Sequence, residues 1–97
     1  MKKLLKLLGI RVNLNKKVTN KDEAHQLLFK LANNIQETMM FIPSREINFY
    51  QVAYSKINAM RNSINAPNND FYDVYFHNKT YGEIIDWINS ESKKWYL

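Results

Sequence analysis

Catalysis needs particular side chains at particular spacings, and this chain offers few of them. It has two histidines, His25 and His77, and no cysteine, so thiolate nucleophiles, disulfides and cysteine metal sites are excluded. His25 falls at the border of an apolar helical stripe and reads as a partly buried structural residue. His77 closes an aromatic run beside Asn78 and Lys79; a general base there would need a nucleophile or metal within hydrogen-bond reach, and the sequence supplies none. The two glycines, Gly9 and Gly82, are far apart, whereas phosphate cradles need several so that backbone N–H groups can approach closely. The nine carboxylates are scattered, mostly at helix starts, where capping and the helix dipole account for them. Asn78-Lys79-Thr80 matches the glycosylation pattern, but no secretory signal accompanies it. The expectation is a non-enzymatic protein with no cofactor, no metal ligands and no evident small-molecule substrate.

Charge opens the alternative, which is binding. The formal net charge is +5, and it is unevenly placed. Through Lys21 the chain carries Lys2, Lys3, Lys6, Arg11, Lys16, Lys17 and Lys21 with no acidic residue, while the remaining 76 residues hold seven basic and nine acidic side chains. Such an asymmetry suits an anionic partner, whether nucleic acid, acidic lipid or acidic protein; a solvated basic edge is the plain alternative. At 100° per residue, Lys2, Lys3 and Lys6 fall on one side of a helix and Leu4, Leu5, Leu7 and Leu8 mostly on the other, a basic amphipathic pattern. It lasts barely two turns before Gly9, too short for a stable isolated helix, so peripheral membrane contact would be weak. The same stretch also reads as a strand, with Leu8, Ile10, Val12 and Leu14 on one side. Residues 1–17 are therefore either a basic arm or an edge of the core.

Two further features could carry binding. Asn48, Gln51, Ser55, Asn58 and Asn62 recur every three or four residues as one polar stripe, with Lys56 and Arg61 beside it. Amides can pair with adenine, and arginine with guanine or phosphate. Thirteen asparagines in the chain make amides common on any wet surface, however, and the short glycine-containing turn of a helix-turn-helix is missing. The C-terminal third is rich in aromatics, Phe71, Tyr72, Tyr75, Phe76, Tyr81 and Trp87 among them. Rings beside cations can stack on single-stranded bases or form a protein-contact hot spot. Trp95 and Tyr96, next to Lys93 and Lys94, are the members expected to be exposed.

The elements that position these residues follow from periodicity and caps. The 97 residues make a single domain. Asn20 and Glu23 have capping-box spacing, and Ala24, Leu27, Leu28, Leu31, Ile35, Met39 and Ile42 then hold helical spacing until Pro43 stops it. A second helix follows Ser44 as cap, with Ile47, Tyr50, Ala53, Tyr54, Ile57, Met60 and Ile64 inward, up to the turn residues around Pro67. Thr80 and Glu83 form another capping box, opening a helix with Tyr81, Ile84, Ile85, Ile88 and Trp95 inward. The expected fold is α+β and mainly helical. It has an antiparallel hairpin of helices over about 21–41 and 45–64, a C-terminal helix over about 81–94, and a small sheet pairing 8–14 with 71–77. An all-α four-helix bundle is the alternative. No run approaches the ~18 apolar residues that suggest a membrane span, and a cytoplasmic location is expected. The functional expectation is a small regulatory protein binding nucleic acid through its basic N-terminal segment. The competing expectation is a protein-binding inhibitor or immunity-type factor that docks on a larger host, phage or membrane-associated partner.

Overall fold

A computed structural model describes residues 13–68 and 70–95, and these are mainly helical, in the order α1 (Lys21–Met39), α2 (Ser44–Asn65), α3 (Phe71–Tyr75) and α4 (Tyr81–Ser92). α1 begins as its cap predicts: the Asn20 side chain accepts the Glu23 N–H at 2.9 Å. The return bond reaches one residue further back, because Glu23 Oε1 accepts the Thr19 amide at 3.2 Å and the Thr19 hydroxyl at 2.5 Å. Ala24, Leu27, Leu28, Leu31 and Ile35 are fully buried, and Met39 and Ile42 pack at the margin of the same core.

Pro43, in extended geometry, takes the cap position of α2 with no side-chain cap bond, so Ser44 is its first helical residue rather than its cap. Proline suits the place because a missing N–H costs nothing before a helix; its carbonyl accepts the Glu46 N–H at 2.9 Å. Only residues 40–43 separate α1 from α2, which makes the pair an antiparallel hairpin. α2 buries Phe49, Tyr50, Ala53, Ile57 and Ile64.

The expected strand over 71–77 is instead α3 and its exit. Tyr72 and Phe76 are both buried while Val74 is 52% exposed. A strand would place all three on one face, whereas helical spacing brings 72 and 76 together and turns 74 away. Val74 N–H bonds the Asp70 carbonyl at 2.9 Å, and Asn78, at φ 61°, ends the turn in the left-handed region that asparagine tolerates. The other expected strand, 8–14, lies mostly outside the described residues, and Asn13–Lys16 closes as a turn. No sheet forms among the described residues; the only β-type pairing there is an isolated antiparallel bridge between Lys17 and Thr80.

That bridge belongs to a backbone clip between the segment leading into α1 and the start of α4. Val18 N–H donates to the Lys79 carbonyl and Asn78 N–H to the Val18 carbonyl, both at 2.8 Å, while Tyr81 N–H donates to Lys16 and Gly82 N–H to Leu14. A helix leaves its first N–H groups without internal partners. Here the clip satisfies Tyr81 and Gly82, and Thr80 Oγ1 takes the Glu83 N–H in a complete capping box. Gly82 allows the close approach, since a Cβ at this position would sit 3.2 Å from the Leu14 carbonyl oxygen. Val18, fully buried, anchors the clip to the core alongside Phe76, Ile84 and Ile88.

Ile57, fully buried at the hairpin's centre, reports on this packing. Ile57→Ala is expected to lower unfolding stability by about 2–5 kcal/mol, read as a reduced chemical-denaturation midpoint.

Candidate functional site

Of the basic N-terminal run, Lys16, Lys17 and Lys21 are among the described residues. Lys2, Lys3, Lys6 and Arg11 lie outside the described residues. Lys16 sits 3.5 Å from Glu23 Oε2 and over the Tyr81 ring at 5.8 Å. Lys17, next in the chain, acts on a different carboxylate, helping to lower the Glu83 pKa. Both carboxyls lie below their ordinary value of 4.5, Glu23 chiefly through its bonds from Thr19 and then Lys16, Glu83 chiefly through the Thr80 amide and then Lys79 and Lys17. From Asn13 onward ten basic residues face nine acidic ones. The described part is nearly neutral, and Lys16 pairs with its own Glu23.

The polar stripe of α2 divides. Asn48, Gln51 and Ser55 are exposed and, with Val52 and Lys56, line a shallow depression of about 290 Å³. Asn58 and Arg61 are drawn away: Arg61 donates to Asn58 Oδ1 at 3.0 Å, and its guanidinium lies 4.9 Å from the Phe29 ring centre on α1. A guanidinium over a ring combines cation–π attraction with packing, so Arg61 serves the α1–α2 contact.

A second depression, of about 320 Å³, begins where the first ends, at Lys56. Ala59, Met60 and Ser63 of α2 form one side. Phe71, Tyr75 and Trp87 form the other, with Glu91 at the rim. The rings are locked together: Tyr75 stacks on Trp87 at 4.7 Å and 20°, and Phe71 lies 5.1 Å from Tyr75. Phe76 meets Trp87 edge-on at 5.9 Å and continues the cluster into the core. Tyr75 remains 41% exposed. Trp95, expected both on the inward side of the C-terminal helix and as an exposed ring beside the lysines, is partly buried against the core, three residues beyond fully buried Ser92; Tyr96 lies outside the described residues.

Together the two depressions follow one face of α2 from Asn48 to Ser63, roughly 22 Å at 1.5 Å per residue. Of the residues lining them, the sequence reading named Asn48, Gln51, Ser55 and Lys56 as surface candidates and did not single out Val52, Ala59 or Ser63. The missed signal is the small pair Ala59/Ser63, one turn apart, which leaves a hollow beside large rings. A separate apolar spot caps the hairpin turn, where Met40 and Phe41 are 76% and 85% exposed.

His77 Nδ1 is 3.0 Å from the Tyr72 hydroxyl, whose own pKa is raised by burial and then by the Asp73 and Glu23 carboxylates. His25 is half-buried beside the α1 stripe. Among the described residues no His/Asp/Glu group is arranged to hold a metal, and no helix is long and apolar enough to cross a membrane. Comparison with protein families, curated proteins and solved structures finds no match.

The two lowered carboxyls set a pH dependence. Their folded pKa values lie below the ordinary 4.5, so their stabilising effect is complete above that value and is lost as pH falls through the lowered ones. Thermal melts are expected to be flat above about pH 4.5 and to fall below it. The double change Glu23→Gln, Glu83→Gln should lower the neutral-pH Tm and flatten the acid limb.

Proposed function

We propose that this chain is a non-catalytic protein-binding factor that receives a segment of a partner protein along the exposed face of α2. The observation that carries this reading is the continuity of the two depressions at Lys56, which gives a strip about 22 Å long, lined by Val52, Ala59, Met60, Tyr75 and Trp87 between polar rims. A strip of this length suits a helix or extended segment laid in a groove, and exposed aromatics are the residues that concentrate interface energy. Lys56 is the one lysine or arginine lining either depression. Duplex recognition draws most of its contacts and affinity from phosphates, which a single cation serves poorly. An inhibitor or immunity-type role on a larger target is the biological form this reading takes.

Nucleic-acid binding stands as the second reading, on one observation: Lys2, Lys3, Lys6 and Arg11 carry nearly all of the excess charge. On that reading they neutralise phosphates, with Lys17 and Lys21 adjoining.

One experiment separates the two. A photo-crosslinking amino acid is placed at Val52 in the full chain in its native cells, with the same group at exposed Lys30 of α1 as control. The first reading predicts a discrete protein adduct from position 52, absent from position 30 and resistant to nuclease and to raised salt. Adducts that vanish with nuclease, or equal yields from the two positions, would contradict it. For the second reading, fluorescence anisotropy with labelled DNA and RNA at low ionic strength should show association that weakens steeply with salt and is abolished by replacing the four N-terminal basic residues with glutamine. No association at low salt would remove it.

A further inference from the structure

The groove between α2 and the α3–α4 aromatics has a chemistry more specific than a general apolar surface. Its floor is low because Ala59 and Ser63 project little from α2, while the opposite wall is a preassembled stack of Tyr75 on Trp87, 4.7 Å apart. The rings hold one another in place, so a planar group laid against them meets a surface that has already lost its rotamer freedom. The volume of about 320 Å³ lies at the low end of the range for ligand sites, suited to one large side chain rather than a cofactor.

The two charged ends of the groove are unequal. Glu91 is held by Lys94 at 3.4 Å. Lys56 has no ion-pair partner among the described residues and stands at the junction with the depression over Asn48 and Ser55. The groove's free charge is therefore positive and sits to one side of the rings.

We infer that this groove takes an aromatic side chain of a partner protein flanked by an aspartate or glutamate, the ring lying against Tyr75 and Trp87 and the carboxylate meeting Lys56. The inference rests on the protein-docking reading above and adds the partner's chemistry. A basic neighbour in the partner would meet Lys56 as a like charge and be disfavoured.

The test titrates the full-length, ¹⁵N-labelled chain with two capped tetrapeptides, Ac-Gly-Trp-Glu-Gly-NH₂ and Ac-Gly-Trp-Lys-Gly-NH₂, and follows amide and indole shifts. Perturbations are expected at Ala59, Ser63, Tyr75 and the Trp87 indole, with the glutamate peptide binding about fivefold tighter than the lysine peptide, as one exposed ion pair allows. Lys56→Gln should bring that ratio close to one without displacing the other resonances. Ala59→Leu, at an exposed position that leaves the core intact, should fill the hollow and abolish both titrations. Equal or reversed affinities, binding that survives Ala59→Leu, or no shift at the Trp87 indole would overturn the assignment. A protein adduct at Val52 with a silent groove would overturn this assignment alone and leave the broader docking reading standing. Groove shifts with the expected charge order but no adduct would support it and count against docking along the rest of α2.

Discussion

The backbone clip between residues 14–18 and 78–82 is the constraint on which the attachment of α4, and with it the aromatic groove, depends. α1 and α2 pack on each other directly through two long apolar stripes. α4 has twelve residues; bonds at its first turn attach it to the segment before α1, and buried Ile84 and Ile88 pack it on the core. Val18, Asn78, Tyr81 and Gly82 donate across the clip, so the N–H groups that a helix start leaves unpaired become the means of attaching it. Buried Val18 ties those bonds to the core, and the Thr19–Glu23 and Thr80–Glu83 caps lie on either side. The same few residues start both α1 and α4.

The aromatic groove follows from that attachment. Trp87 lies on α4, Tyr75 and Phe71 on the single turn of α3, and Ala59 and Ser63 on α2; no local sequence brings these together. Once the clip fixes α4, Trp87 meets Tyr75 face to face and Phe76 edge-on, and the small residues of α2 leave a hollow beside the rings. Charge is organised differently. The described body pairs Lys16 with Glu23 and Lys94 with Glu91 and comes close to neutrality, while the unbalanced lysines cluster before Asn13. Lys56 has no ion-pair partner among the described residues, and its position at the junction of two depressions gives that surface its polarity.

The three longer helices were legible because periodicity and caps agreed. Asn20 and Thr80 mark their starts, Pro43 separates α1 from α2, and the inward positions of α1 were read almost completely. Phe49 was missed because Ile47 and Tyr50 already satisfied the helical pattern beside it. Residues 71–77 misled for a physical reason: β-branched and aromatic content favours a strand in a short segment, and only the fourfold spacing of Tyr72 and Phe76 argued for a turn of helix. The clip was invisible, since it is made by backbone groups of residues whose side chains carry no signal for it. Of the candidate contacts, Asn48, Gln51 and Lys56 could be read from their stripe. Asn58 and Arg61 could not be told apart from them, because their diversion depends on Phe29 across the hairpin. The groove was unreadable as a site, although each of its rings was noted.

Native-state hydrogen exchange under mild denaturant tests the dependence on the clip most directly. The account predicts that the amides of Val18, Asn78, Tyr81 and Gly82 exchange together with those of α4, in one opening that leaves α1 and α2 protected. Protection that persists through α4 while the clip amides exchange freely would contradict it.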